Sequence, residues 1–374
     1  MNHRENFAKV KRIVIKIGSS LLTKGGKGLD KIAIAQWVAQ MASLQKSGID
    51  VILVSSGSVA EGVWRLGLKA RPTTLHELQA AAAVGQMGLV RVFDDTFQQH
   101  DLHASQVLLT HDDLSNRQRY LNARSTLLTL LQFGVVPVIN ENDTVATEEI
   151  RFGDNDTLAA LVANLVEADL LLILTDQPGL FTADPSIHSD ATLISQINVN
   201  DERLESMAGE SRSGLGRGGM STKVSAARLA ARSGAATIVA AGATKNVIQA
   251  VLNGDVIGTH FLPDIEPLLA RKRWLAGQLQ VKGQLVLDNG AVNMLKNNGK
   301  SLLAVGVKWA TGQFERGELV SCLDQNGVEI ARGLVNYGSE ETQKIAGKSS
   351  TEFPLILGYA DDLELIHRDN LVVI

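Results

Sequence analysis

Five short apolar runs, each closed by small or polar residues, restrict the fold of this chain more than any other feature. Arg12-Ile13-Val14-Ile15-Lys16-Ile17 ends at Gly18-Ser19-Ser20, and Asp50-Val51-Ile52-Leu53-Val54 ends at Ser55-Ser56-Gly57-Ser58. Val135-Val136-Pro137-Val138-Ile139 runs into Asn140-Glu141-Asn142-Asp143. Leu170-Leu171-Leu172-Ile173-Leu174 runs into Thr175-Asp176, and Ala236-Thr237-Ile238-Val239-Ala240 into Ala241-Gly242. A strand that is apolar throughout has no face to give to water, so it is expected to be buried on both faces. Helical stretches separate the runs, notably Ile32 to Lys46, Glu77 to Gln99 and Asn155 to Glu167. The expected fold is α/β, an open, mostly parallel sheet sandwiched by helices. In such sheets the ligand crevice lies beyond the carboxyl ends of the strands. Any one of these polar endings serves equally well as a turn or a helix cap. Five of them together point to a shared rim.

The second feature is Gly214-Leu215-Gly216-Arg217-Gly218-Gly219-Met220-Ser221-Thr222-Lys223, followed by an Ala- and Arg-rich run from Val224 to Arg232. This is a flexible loop feeding the start of a helix. Glycine lets backbone N–H groups approach an anion, and a helix N-terminus adds a positive dipole end. Lys223 adds a full charge, so the natural guest is a polyphosphate. The order of residues differs from the strand–GxxxxGK[ST]–helix loop, because Lys223 follows Ser221-Thr222 and the preceding Asp201–Ser213 segment is polar. Taken alone, the stretch reads equally well as a mobile surface loop.

Composition bounds the rest. A chain of 374 residues is long enough for more than one domain. Lys plus Arg is 36 and Asp plus Glu is 40, for a net charge of −4, which gives no bulk drive toward nucleic acid or anionic membrane. The single cysteine, Cys322, excludes an internal disulfide and fits a reducing, cytoplasmic setting. The charged segment Met1 to Lys11 does not read as a signal peptide, and no apolar run approaches the ~18 residues of a membrane span. Among eight histidines, none shows His-x-x-x-His spacing. His100 and His103 lack a nearby cysteine, so no protein-held metal site is expected.

Near residue 262 the texture changes. Pro263, Pro267 and Arg271-Lys272-Arg273 read as a linker. Beyond it, short strands over Gln278–Leu287, Ser301–Lys308, Glu318–Leu323 and Val328–Val335 are separated by Asp-Asn-Gly, Asn-Gly-Lys and Gln-Asn-Gly, which read as hairpin turns. The expected division is 1–262, a linker at 263–280, and a small β-rich barrel at 281–374. The apolar tail Leu371-Val372-Val373-Ile374 is read as a strand available to pack on the first domain.

These pieces, in this order, resemble the amino acid kinase family. The resemblance rests on Ile15-Lys16-Ile17-Gly18-Ser19-Ser20, Ser55-Ser56-Gly57-Ser58-Val59-Ala60, Val138-Ile139-Asn140-Glu141-Asn142-Asp143 and Phe152-Gly153-Asp154-Asn155-Asp156. It continues through Leu174-Thr175-Asp176-Gln177-Pro178-Gly179-Leu180-Phe181-Thr182-Ala183-Asp184-Pro185 and the glycine-rich loop. It is strongest to the branch that phosphorylates glutamate, and the C-terminal part resembles a PUA domain. The implied activity is ATP-dependent phosphorylation of the γ-carboxylate of L-glutamate to L-glutamyl 5-phosphate, the first step of proline biosynthesis, with Mg²⁺ accompanying ATP.

The resemblance also implies roles. Lys16, Asp156 and Lys223 are the catalytic set, with Lys16 and Lys223 on the transferring phosphate and Asp156 between them. Ser56, Gly57, Asp143 and Asn155 meet the amino acid substrate, Asp143 facing its α-ammonium. Lys16, Thr175, Asp176, Arg217, Gly218, Gly219, Met220, Ser221, Thr222 and Lys223 flank ATP. Arg217 stands where related sequences often carry threonine, and either adds a phosphate contact or points to solvent. Plainer readings exist for single residues: Lys16 as a strand-end surface lysine, Asp156 as a helix cap.

The chemistry fits this set. A γ-carboxylate is ionised at pH 7, so no general base is needed. The work is to bring two anions together and to offset charge on the transferring phosphoryl group. Implied partners are proline as a feedback inhibitor, a second copy in a dimer or tetramer, and transiently the next-step dehydrogenase. Other members of the family, acting on aspartate, acetylglutamate, carbamate or uridylate, share the lysine logic. An RNA-binding reading of the C-terminal part is disfavoured by its balance of eight Lys/Arg and eight Asp/Glu over residues 281–359. A catalytically dead sensor is disfavoured by the joint presence of Lys16, Asp156 and Lys223.

Overall fold

Strand β1 (Arg12–Ile17) lies in the middle of the first unit because its neighbours pair with it on both sides. β2 (Asp50–Val54) runs parallel on one side with Lys16 opposite Val54, and β5 (Leu170–Thr175) runs parallel on the other with Lys16 opposite Ile173. β4 (Val136–Glu141) continues from β2 and β7 (Ala236–Ala241) from β5, again parallel. These five are the apolar runs legible in the sequence, and they are contiguous. Three strands that the sequence reading did not contain complete an eight-stranded sheet of order β3-β4-β2-β1-β5-β7-β8-β6. They are β3 (Ala104–Leu109), β6 (Gln196–Asn198) and β8 (Thr259–Leu262), the last antiparallel to β7. The structure, a computed structural model, describes residues 7, 9–23, 25, 27–145, 155–209, 219–263, 281–360 and 362–374.

Alternation along β1 divides its side chains between two layers. Ile13, Ile15 and Ile17 are fully buried on one face, with Trp37 and Met41 of the Lys31–Lys46 helix and Leu89, Phe93 and Phe97 of the Leu75–Gln98 helix. Each such side chain contributes roughly 1.5–3 kcal/mol by leaving water. Lys16 falls on the other face, where the Asp156–Leu165 helix packs on β1.

The Ser58–Arg65 and Leu75–Gln98 helices meet backbone to backbone. A Cβ on Gly62 would lie 1.7 Å from the Ala81 carbonyl oxygen, and one on Gly85 would lie 1.8 Å from that of Ser58. Only hydrogen at both positions permits this approach. The contact ties the segment after β2 to the long helix.

Residues 1–115 and 122–270 form one compact unit, and residues 116–121 cluster with 271–374 in the second. Within the second unit, Leu121 packs with Leu319 and Leu334. Its sheet has the order β10-β9-β11-β12-β13, from β9 (Gly283–Leu287), β10 (Val307–Gly312), β11 (Leu319–Leu323), β12 (Glu329–Leu334) and β13 (Leu371–Val373). Cys322 is completely buried there; burial, aided by the Glu329 charge, pushes its thiol up to about 12.

Two expectations are corrected in this unit, and the C-terminal strand finds its neighbour. Asp288-Asn289-Gly290 is not a hairpin turn: the Asp288 carboxylate accepts from the Ala291 N–H at 2.7 Å and caps the Asn289–Asn298 helix. Most of Ser301–Lys308 is not strand, because a 3₁₀ turn at Ala304–Gly306 precedes β10. The C-terminal tail pairs antiparallel with β12 as an edge of its own sheet. Of the expected linker, residues 264–280 lie outside the described residues, as do Phe152-Gly153-Asp154, Arg217 and Gly218.

Candidate active site

The charged part of the site follows from register. Lys16 faces the layer in which the Asp156–Leu165 helix begins, so a strand-end lysine meets a helix-start aspartate. Lys16 Nζ lies 2.6 Å from Asp156 Oδ1. The Met220–Ala230 helix brings Lys223 Nζ to 3.1 Å from Asp156 Oδ2, and the Thr222 hydroxyl donates to the same oxygen at 2.8 Å. Lys16 is 5%, Asp156 0% and Lys223 4% exposed, which disposes of the surface-lysine reading.

Burial alone would raise the Asp156 pKa. The charges of Lys16 and Lys223, with hydrogen bonds from Lys16 and Thr222, outweigh it and hold the carboxyl at about 2. Desolvating ions is expensive unless they are paired. Among the described residues, two ammonium groups meet one carboxylate in this water-poor place. Such a place is disposed to take an anion. The first N–H groups of the Met220–Ala230 helix have no intrahelical partner and add to this positive end.

The second part of the site lies one residue away. Asn155 occupies the cap position of the Asp156–Leu165 helix, yet its side chain makes no capping bond. Its Nδ2 instead donates within 2.6 Å of the Ser55 carbonyl oxygen, 2.7 Å of Asn140 Oδ1 and 3.1 Å of Ser56 Oγ. Gly57 adopts φ +94°, a left-handed conformation natural to glycine, and so starts the Ser58–Arg65 helix directly after β2. The Ser58 hydroxyl donates to Asp143 Oδ2 at 2.7 Å. Ser19, Ser56, Gly57, Arg71, Asp143 and Asn155 border a pocket of about 90 Å³. Its walls carry both signs of charge. Because Asn155 and Asp156 are consecutive, pocket and charged array meet at one helix start.

Thr175, at the end of β5, donates through Oγ1 to Asp176 Oδ1 at 3.0 Å. The same strand end borders the β1 turn, since Gly18 N–H donates to the Leu174 carbonyl at 3.1 Å. Gly219 precedes the Met220–Ala230 helix, and Met220, Ser221 and Thr222 form its first turn. Thus Lys16, Asp156, Lys223 and Thr222 come together, and Ser56, Gly57, Asp143 and Asn155 gather next to them. Sequence reasoning did not single out Ser58, Arg71, Asn140 or Gln86. Ser58 and Asn140 stood inside quoted segments. Arg71 and Gln86 carry no local signal, since one is a loop arginine and the other a glutamine within a long helix.

Residues 11–241 match the amino acid kinase family, and residues 283–357 match the PUA domain. A glutamate 5-kinase of Methylococcus capsulatus is 61% identical over 373 residues, covering 100% of each chain. One from Marinomonas sp. is 60% identical over 374 residues, again with 100% of each chain covered. A third, from Hydrogenovibrio crunogenus, is 59% identical over 98% of this chain and 97% of that one. With its buried Lys16–Asp156–Lys223 array at the carboxyl ends of a mostly parallel sheet, the chain belongs to the amino acid kinase family, among the glutamate 5-kinases that carry a PUA domain.

Proposed function

We propose that this protein transfers the γ-phosphoryl group of ATP to the γ-carboxylate of L-glutamate, giving L-glutamyl 5-phosphate and ADP. The observation that carries the reading is the buried array of Lys16, Asp156 and Lys223 beside a small pocket of mixed charge. A γ-carboxylate oxygen bonds to the γ-phosphorus, the bond from phosphorus to the bridging oxygen breaks, and its electron pair leaves on ADP. No proton moves, because the acceptor is ionised at pH 7. Lys16 and Lys223 offset the charge spread over the transferring group, and Asp156 holds both ammonium groups at their distances. Asp143 pairs with the α-ammonium of glutamate, while Asn155, Ser56 and the Gly57 backbone orient the acceptor. Thr175, Asp176 and the start of the Met220–Ala230 helix face the nucleotide.

Among the described residues, no cluster of three or more His, Cys, Asp or Glu side chains could hold a metal ion. Mg²⁺ enters the reading as part of MgATP, where phosphate oxygens bind it. No described helix is long and apolar enough to cross a membrane. A cytoplasmic, homo-oligomeric enzyme that hands its acyl phosphate to a dehydrogenase and is inhibited by proline completes the proposal. Proline keeps a carboxylate and an amine, so it fits a pocket built for glutamate.

The deciding experiment offers the purified protein MgATP with glutamate, aspartate or N-acetylglutamate and follows ADP release and acyl phosphate trapped as hydroxamate. Glutamate-dependent turnover is expected. ADP release independent of glutamate, or a preference for another acceptor, would overturn the reading.

A further inference from the structure

Gln86 sits in the middle of the Leu75–Gln98 helix, in a sequence of small and apolar residues, and is 7% exposed. Its Oε1 accepts from Asn140 Nδ2 at 2.7 Å. Its own Nε2 is buried and has no hydrogen-bond partner among the described residues. A buried N–H₂ without a partner is a cost to the fold. An apolar side chain of the same length would avoid that cost, so packing alone does not account for a glutamine here. What the glutamine supplies is one acceptor, aimed at Asn140.

That acceptor holds the N–H₂ side of the Asn140 amide, while two donors hold its oxygen side. Asn140 Oδ1 accepts from Asn155 Nδ2 at 2.7 Å and from the Glu141 N–H at 2.9 Å. Turned over, Asn140 would set its N–H₂ against two donors and lose all three bonds. With Gln86 in place, the order runs from Gln86 to Asn140 to Asn155, and from Asn155 to Ser56 Oγ and the Ser55 carbonyl in the pocket. Gln86 is itself held in place. The residue before it, Gly85, is where the long helix touches the Ser58–Arg65 helix backbone to backbone. The helix that follows Gly57 and the helix that carries Gln86 are therefore packed directly against each other.

We propose that Gln86 is a positioning residue of the acceptor pocket: through Asn140 it fixes the Asn155 amide that orients the substrate carboxylate. The proposal rests on the reading of this pocket as the glutamate site. It makes a prediction that a residue important only for folding does not, because the effect runs through Asn140 and reaches one substrate.

The test is steady-state kinetics of the full-length protein with glutamate and MgATP varied in turn. Gln86→Met keeps length and removes the acceptor. It is expected to raise KM for glutamate roughly 10- to 10²-fold, the scale of a displaced binding group, while KM for ATP stays within about twofold. Gln86→Glu keeps an oxygen facing Asn140 and is expected to retain most of the wild-type affinity for glutamate. On an Asn140→Ala background, Gln86→Met is expected to add less than about twofold, since its route is already cut. Equal rises in both KM values, multiplying effects on the Asn140→Ala background, or equal losses in Gln86→Met and Gln86→Glu would each overturn the proposal. If Gln86→Met does not yield folded protein, Gln86→Glu decides: a KM for glutamate raised tenfold or more refutes it. Wild-type protein that fails to phosphorylate glutamate would refute the functional reading itself, a separate outcome from any of these.

Discussion

Asp156→Asn isolates one quantity, the charge between two buried lysines. The substitution keeps volume and an acceptor oxygen, but leaves the Lys16 and Lys223 ammonium groups without the carboxylate that lies 2.6 and 3.1 Å from them. In the folded protein the Asp156 pKa falls from its ordinary 3.8 to about 2. At 1.36 kcal/mol per pH unit, that is about 2 kcal/mol of stability at pH 7. The sign follows from the direction: the folded value is depressed, so the stabilisation is complete well above 3.8 and is lost as pH falls toward 2. The variant's deficit should therefore be constant from pH 8 to 5 and close below 4. For a unit of this size, about 2 kcal/mol corresponds to roughly 4–8 °C in Tm. Urea and thermal unfolding of wild type and variant at pH 7 and pH 5 measure it, with kcat taken on the same samples. The kcat is expected to fall, though less than on losing either lysine, because Asp156 positions and does not touch the phosphoryl group. A variant with unchanged midpoints at pH 7, or a deficit that grows between pH 7 and 5, would refute the argument that the array is held by this charge.

The remaining expectations are more direct. Lys16→Ala and Lys223→Ala should each lower kcat by about 10²–10³ with the fold retained, the usual effect of losing one donor to the transition state. Wild-type turnover in either folded variant would remove that lysine from the site. Asp143→Ala should raise KM for glutamate far more than KM for ATP, and N-acetylglutamate, lacking the ammonium, should be a poor acceptor; parallel changes for both substrates would point to collapse of the loop. Gly85→Ala should destabilise by several kcal/mol, since its Cβ would lie 1.8 Å from the Ser58 carbonyl oxygen; normal unfolding behaviour would mean that the two helices are not in backbone contact. Truncation after residue 262 keeps β8 and should leave a kinase active on glutamate, but with lowered solubility, because Leu121 loses Leu319 and Leu334. A folded, inactive fragment would show that the second unit is needed for the chemistry.

What the sequence alone determined follows from burial. The five strands it disclosed are the central ones, apolar at nearly every position because helices cover both faces of the sheet. Their polar endings marked the strand ends that gather Ser56, Asn140 and Thr175, and the glycine-rich stretch before Lys223 marked the start of the Met220–Ala230 helix. The strands that went unread are those outside this central block. β3 is half-buried, β6 is three residues long, and β8 reads Thr-His-Phe-Leu, so none shows the continuous apolar signal of a covered strand. In the second unit, Asp288-Asn289-Gly290 has the composition of a turn and the structure of a helix cap, and only the packing of the Asn289–Asn298 helix chooses between them. Lys16, Asp156 and Lys223 are 140 and 67 residues apart in the chain. Their ionic contact required β1 to present Lys16 to one layer and two helices to start in that layer. The same holds for Gln86, whose meaning comes entirely from Asn140, reached across 54 residues by the docking of a glycine-faced helix. Local sequence records what each residue can do, whereas the distances at which charges pair and amides orient one another exist only after the layers have packed.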